Sequence, residues 1–476
     1  MAIEWTGLGP DLLVGLDRIS PQTLGAQLQS QLRDAIRDGR LGVGERLPSS
    51  RQLASELGVS RGLVVDCYAQ LEAEGYLATR SGSATRVASG IAAAPPPPEL
   101  PPPARRLDVD FKYGIPDLAS FPMRDWLWAL GEASRDAPIA AAGYGDYRGV
   151  ESLREVVAAY LRRVRGAVAD ADNVVVVAGF AQGLGIVLRT LAAAGLVRVA
   201  VEEPCIRDVD LTLHRAGAQH VPVPVDELGL DVDALAATDA RVVVVTPAHQ
   251  CPTGVVLAPE RRHALVRWAI ERDAIIIEDD YDAEFRYDRQ PVGSMQGLAP
   301  DRVVTIGSVS KSLAPWMRLG WVVCPPHLTT AIALEKEIAD RGSPGLDQHA
   351  LAHLIVSGRY DRHLRRMRSI YGARRRVLVD VLTERAPGLV LSGLAAGFHA
   401  VLHLPPDGDE TAVIEQARER SIGLHGMSEY RTDGATTPPQ LVVGFGNVTE
   451  GSIRRGIEVI APLLVPHATP AVAQPT

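Results

Sequence analysis

Lysine is scarce in this chain: of 49 basic residues only three are lysines, Lys112, Lys311 and Lys336. Arginine supplies the positive charge almost everywhere else. A surviving lysine therefore marks a place where an amine able to lose its proton is wanted. Lys336 stands in an Ala/Glu-rich helical stretch and reads as incidental. Lys311 stands between Ser308 and Gly320, in SVSKSLAPWMRLG, directly after an apolar run. An amine partly buried there, beside the cation Arg318, is poised to condense with an aldehyde and act as a Schiff-base lysine. The hydroxyls of Ser308 and Ser310 and the fork of Arg318 suit a phosphate dianion.

Two further stretches complete the set. Residues 179–183 read GFAQG at the end of a β-branched run, where a helix opens. Backbone N–H groups around Ala181 and Gln182 can cradle a phosphate at such a helix start. Residues 278–282 read EDDYD after another apolar run. A carboxylate at Asp279 can hold a pyridine nitrogen protonated and keep the ring an electron sink. Tyr281 can donate to a ring oxygen. An aldehyde, a phosphate and a pyridine nitrogen together describe pyridoxal 5′-phosphate (PLP). Four acids within Glu278–Asp282 could instead suggest a metal. No histidine or second carboxylate cluster lies nearby in sequence, so no metal is expected.

These residues need a scaffold. The runs 174–177, 198–202, 241–246, 274–277 and 303–306 are largely apolar on both faces and alternate with longer helical patterns. That is the signature of a mostly parallel sheet flanked by helices, with its site at the carboxyl ends of the strands. The stretch 95–103, PPPPELPPP, can be neither a helix interior nor a central strand; it is a stiff extended linker. The expected organisation is a first domain over 1–88, a Pro-rich linker over 89–107, the α/β domain over 108–466 and a disordered tail over 467–476. A chain of 476 residues with 46% hydrophobic and 22% charged residues is an ordinary globular protein of more than one domain. The net charge of −8 gives no global pull towards nucleic acid. Four cysteines without metal spacing, no signal pattern and no membrane-length apolar run point to the cytoplasm.

In the N-terminal segment, Leu24, Leu28, Leu32 and Ile36 form one stripe of an amphipathic helix. Ser49 and Gln52 make a capping-box pattern that opens a short helix, with Gly58 at its end. Ser60 can cap a second helix from Arg61 to Glu74, stopped by Gly75. Two helices joined by a tight turn make a helix-turn-helix, and residues 76–87 read as two strands of a wing around Ser81-Gly82-Ser83. Arg51, Ser60, Arg61, Gly62 and Arg80 would face DNA. The pattern by itself leaves a protein partner equally open.

The run Gly39–Val87 resembles the GntR-type winged helix. It carries LPSSRQLA at 47–54, LGVSR at 57–61, Tyr68, Leu71, EGY at 74–76, Gly82 and Val87 in register. That resemblance implies operator DNA as partner. The stretches around Lys311 and Asp279, with GYGDYRG at 143–149, EEP at 202–204, HQCPTG at 249–254 and GFH at 397–399, are similar to fold-type I aminotransferases. Above all they resemble the MocR group, in which a GntR-type domain is fused to that fold. The implied fold is an aminotransferase-like α/β domain with a smaller C-terminal α/β part, behind an N-terminal winged helix-turn-helix. The implied cofactor is PLP. The resemblance also implies a homodimer, in which Tyr144 reaches the partner's phosphate.

Three positions depart from the aminotransferases. Cys251 replaces the Asn beside the cofactor's 3′ oxygen. Ile206 stands where an aromatic often stacks on the ring. Val442 aligns with the arginine that grips a substrate carboxylate, which disfavours full transaminase turnover and leaves at most a half-reaction. Arg207 or Arg431 could substitute as effector contacts. The expected function is a PLP-dependent transcription regulator that senses PLP or a small amine or amino acid. The alternatives are an active aminotransferase carrying a DNA-binding domain and a PLP-independent repressor using the fold as a dimerisation scaffold. The operator sequence, and whether the chain activates or represses, are not encoded in these motifs.

Overall fold

The computed structural model describes residues 14–79, 84–88, 106–136, 143–282, 284–287 and 292–464. The chain divides into two compact units, Met1–Ala104 and Arg105–Thr476. Among the described residues no helix is long and apolar enough to cross a membrane.

The first unit is built from α1 (Leu24–Arg37), α2 (Ser50–Leu57) and α3 (Arg61–Ala73), then β1 (Leu77–Ala78) paired antiparallel with β2 (Arg86–Val87). Leu28, Leu32 and Ile36 of the α1 stripe meet Leu53, Val64, Cys67 and Leu71 in one small core, while Leu24 is only half buried. Each helix start is capped from sequence: Thr23, Ser49 and Ser60 accept from the backbone N–H of Ala26, Gln52 and Leu63. The capping box at Ser49 forms only by half, because Gln52 Nε2 turns to Glu56 at 2.9 Å rather than back to Ser49. Gly58 closes α2 at φ 62°, a left-handed conformation that suits glycine and lets the chain turn within two residues into α3. The tip of the wing, with Ser81-Gly82-Ser83 and Arg80, lies outside the described residues, as do the Pro-rich linker stretch 95–103 and the C-terminal tail.

The second unit begins with β3 (Val109–Asp110) and centres on an eight-stranded sheet. Its strands are β4 (Val174–Val177), β5 (Arg198–Glu203), β6 (Gln219–Asp226), β7 (Gly229–Leu230), β8 (Val242–Val245), β9 (Ile275–Asp280), β10 (Val303–Ser308) and β11 (Gly320–Val323). Their spatial order is β4-β11-β10-β9-β8-β5-β6-β7. β10, β9, β8, β5 and β6 run parallel in succession, and β11 is inserted antiparallel between β10 and β4. The apolar runs are continuous because alternate residues serve opposite faces. Val242, Val244, Ile275 and Ile277 pack on the side of the helix Phe180–Ala193. Val243, Val245 and Ile276 pack against Leu265 and Trp268 of the helix Pro259–Glu271.

A smaller C-terminal part adds β12 (Val390–Ser392), β13 (His399–His403), β14 (Ile422–Gly423), β15 (His425–Gly426) and β16 (Gln440–Gly444). β12-β13-β16-β15 form an antiparallel sheet, and β14 pairs parallel with β3. The arginine-rich helix Arg359–Arg385 is largely committed inside this unit. Arg374 bonds Asp117 at 2.6 Å, Arg368 the carbonyl of Glu284 at 2.7 Å and Arg375 that of Leu394 at 2.8 Å.

Candidate functional site

The carboxyl ends of β5, β9 and β10 and the start of the helix Phe180–Ala193 open onto one cavity of about 510 Å³. Lys311 follows β10 and points into it. Its Nζ donates to the Gly114 carbonyl at 2.5 Å. Gly114 has φ 78°, and a Cβ there would come within 3.1 Å of Nζ, so glycine is needed for both backbone and space. Burial lowers the amine's affinity for its proton, with Cys251, Asp279 and Asp282 acting the other way. Of the two causes expected from sequence, partial burial and a nearby cation, burial is the leading one.

Asp279, at the end of β9, is buried on the cavity wall, and burial, then Asp280, pushes its carboxyl well above the usual range while Lys311 opposes. The other three acids of the EDDYD run have partners elsewhere. Glu278 accepts from Thr305 and Met295 N–H at 2.8 Å each, Asp280 takes Arg165 in two bonds of 2.7 and 2.8 Å, and Asp282 meets His249 at 2.8 Å. Alternation along the strand thus leaves Asp279 alone facing the cavity. Tyr281 also lines it, but its hydroxyl donates to the His249 carbonyl at 2.8 Å, so its oxygen is offered as an acceptor.

The phosphate side is equally defined. Gly179, at φ 84°, begins the helix Phe180–Ala193, and a Cβ on it would stand 3.2 Å from the Arg318 guanidinium. Arg318 donates to the Ala178 carbonyl and keeps its remaining donors on the cavity beside Ser308 and Ser310. Ala181 lines the cavity; the Gln182 side chain does not. Gln182 accepts from Ala178 N–H at 2.7 Å and donates to Asp340 at 2.7 Å, bracing the helix start from behind. Lys336, read from sequence as incidental, belongs to this brace: it is fully buried and binds Asp340 at 2.5 and 2.6 Å and Ser343 at 2.9 Å.

The departures keep their places. Cys251 and Ile206 line the cavity, and Val442 is buried in a cluster with Val401 and Met427. Arg207 reaches the rim and makes no bond or ion pair with other described residues. Arg431 does not reach it. Its guanidinium is spent on the carbonyls of Ala435 and Pro438, at 2.6 and 2.9 Å, and on Gln440 at 2.8 Å, so it holds its own loop. Tyr144 is 83% exposed and outside the cavity of its own chain.

The sequence missed four wall residues. Phe180 adds an aromatic ring to the wall that Ile206 also lines, and Tyr113 and Tyr430 line it as well. His425 stands between Asp110 at 3.1 Å and Glu429 at 3.6 Å; burial works against its charge, but these two acids outweigh it and lift the imidazole to about 9. Phe180 lies within the quoted GFAQG run but was given no role there, and the other three lie outside the quoted motifs. The sequence also placed no histidine near Asp282, yet the fold brings His249 and His399 to it, with ligand-type atoms within 4.8 Å. His249 bonds Asp282 and the Gly393 carbonyl and supports Tyr281, whereas His399 bonds the Pro252 carbonyl at 3.1 Å through Nε2 and its buried Nδ1 has no hydrogen-bond partner among the described residues.

In the first unit Arg51, Ser60, Arg61 and Gly62 are all exposed around the starts of α2 and α3. Neither Arg51 nor Arg61 is engaged by another described side chain.

Residues 24–87 match the family of bacterial regulatory proteins, gntR family, and residues 109–460 match aminotransferase class I and II. The HTH-type pyridoxine biosynthesis transcriptional regulator PdxR of Corynebacterium glutamicum is 34% identical over 93% of this chain and 96% of its own length. The probable rhizopine catabolism regulatory protein MocR of Rhizobium meliloti is 32% identical over 93% and 94%. The chain belongs to the MocR-type regulators of the GntR family. As in those relatives, a GntR DNA-binding unit precedes an aminotransferase-like unit, and the protein is a transcription regulator. An archaeal alanine:glyoxylate aminotransferase, 23% identical, shares the fold of the MocR-type large unit with a TM-score of 0.69 over 76% of this chain and 91% of that one.

Proposed function

We propose that this regulator holds PLP on Lys311 and reads the PLP supply, changing how its winged helices engage operator DNA. The observation that carries the reading is the convergence of a buried amine, a buried carboxyl and an arginine–serine–glycine cup on one cavity. The residues fit the cofactor. Lys311 would take its aldehyde, Asp279 its pyridine nitrogen, and Arg318, Ser308, Ser310 and the N–H groups after Gly179 its phosphate. Bound there, PLP supplies an electron sink. The chain's own groups then orient it: Gly114 fixes the amine, Tyr281 is held by His249, and Cys251 replaces a stronger hydrogen-bond partner. Because Val442 is walled into an apolar cluster and Arg431 is committed to its loop, neither offers an amino-acid carboxylate a bidentate partner, and of the effector contacts expected from sequence only Arg207 at the rim remains. The relative named for pyridoxine biosynthesis supports PLP itself as effector.

The uncommitted Arg207 at the rim favours a second reading, in which a small amine or amino acid is the effector. Operator binding measured at one salt concentration separates the two. PLP alone should change the operator affinity of the wild type and leave that of Lys311→Ala unaltered. A response only when an amino donor is added selects the second reading. Steady turnover of that donor, with equal operator affinity in all states, would show an enzyme rather than a sensor.

A further inference from the structure

Glu202, near the end of β5, is 4% exposed. Its Oε2 accepts from the Thr246 hydroxyl at 2.6 Å and the Thr246 N–H at 3.0 Å, with Gln250 Nε2 at 3.5 Å. All three partners are neutral. A small cavity of about 20 Å³ separates it from Asp279, walled by Cys205, Cys251, Phe180 and Ile206. Strand order explains the approach: β5 and β9 flank β8, and both acids stand at carboxyl ends, over Thr246. Such a space holds about one water molecule and little screening. Two carboxyls that share it cannot both ionise without large cost.

We propose that Glu202 is a positioning residue for the PLP ring, keeping its proton while PLP is bound so that Asp279 alone carries charge opposite the pyridine nitrogen. The inference rests on the PLP reading above. Holding a protonated pyridine nitrogen requires Asp279 to be ionised. That charge stands nearer to Glu202 than the pyridinium it pairs with, because Asp279 lines both cavities and the ring would lie in the larger one, so Glu202 becomes harder to ionise and loading is linked to its protonation. Burial already lifts the Glu202 carboxyl to about 7 in the free protein, against the bonds from Thr246 and Gln250. Loading raises it further. PLP affinity must then fall as pH rises through about 7, where free protein loses a proton that loaded protein keeps. Of the other groups facing Glu202, the two thiols do not titrate there, and Asp279 is the group whose ionisation the loading itself fixes. Cys205 is pushed up to about 12 and Cys251 well above its ordinary value, both first by burial. Lys311, Asp280 and Asp282 lie beyond Asp279 and act on it directly.

The test is equilibrium binding of PLP to the full chain and to Glu202→Gln from about pH 6 to about 8.5, read as the ratio of the two affinities. Lys311, the phosphate and the pyridine nitrogen titrate alike in both proteins and cancel. The affinities should match at the acid end, and the wild type should be weaker by about tenfold at the alkaline end, as one unit of linked shift requires. Glu202→Asp, which keeps an ionisable carboxyl, should retain a pH dependence. Infrared difference spectra on loading should show a protonated carboxyl that Glu202→Gln lacks. A ratio constant with pH overturns the proposal, as does a Gln variant weaker at every pH. If the Gln variant does not fold, absence of the infrared band in the wild type overturns it alone. A wild type that takes up no PLP on Lys311 defeats the PLP reading instead, and the two failures are told apart.

Discussion

Lys311 and Asp279 answer one environment in opposite ways. Burial takes charge off the amine and also off the carboxyl, so the free site approaches neutrality on both sides. A ligand that brings an aldehyde to one and a basic ring nitrogen to the other relieves both penalties together. Replacing Lys311 by alanine should therefore abolish the visible absorption band of PLP-loaded protein after dialysis; a band that survives dialysis would remove Lys311 from its role. His425 shows the reverse balance. Its imidazole is lifted to about 9 by Asp110 and Glu429, above the 6.5 of an exposed histidine. A raised folded-state value stabilises most below about pH 6.5, and the contribution is lost as pH rises through about 9. Melting curves should thus show wild type losing more stability than His425→Gln between those limits. Parallel losses in the two proteins would mean that the acids do not hold the charge.

At the scale of elements, the helix starts carry much of the function. Ser60 caps α3 and places Arg61 and Gly62 at its exposed tip. Arg61→Ala should weaken operator binding by about 1–3 kcal/mol if it reads a base. An effect no larger than that of Arg365→Ala, on the second unit's arginine helix, would displace α3 from the groove. The start of the helix Phe180–Ala193 is braced by Gln182, Asp340 and the buried Lys336. Asp340→Asn should destabilise the protein by about 3 kcal/mol in denaturant unfolding, because it leaves a buried ammonium without its anion. A loss near zero would mean that Lys336 is already neutral. These elements were unequally legible. Caps, apolar strands and the Lys311 and Asp279 motifs follow from local pattern: Ser49 and Ser60 cap their helices, although the box at Ser49 is half formed, and both motifs fall at strand ends. Lys336, Tyr113 and His425 could not be found that way, since each draws its meaning from a partner that only the tertiary fold brings near. Arg431 failed for the same reason: an arginine's chemistry is legible in sequence, but its direction is set by neighbouring carbonyls.

Over the whole molecule, the question is how a cavity in one unit can alter DNA binding by another. The Tyr144 segment is exposed and has no task within its own chain's cavity, which is what a contribution to a partner's phosphate cup would require. A homodimer would also set two winged helices against two half-sites. Sedimentation at micromolar concentration should give a dimer, and a monomer with PLP bound would contradict that assembly. If PLP shifts the balance between two placements of the DNA-binding units, linkage makes the coupling mutual. Operator DNA must change PLP affinity by the same factor as PLP changes operator affinity, about 5–150-fold for couplings of ordinary size. The measurement is PLP binding with and without saturating operator, set beside operator binding with and without PLP, in one buffer. Equal factors in the two directions establish the coupling. A PLP affinity indifferent to operator, in a protein whose operator affinity responds to PLP, would break the thermodynamic cycle and trace the response to aggregation or loss of fold.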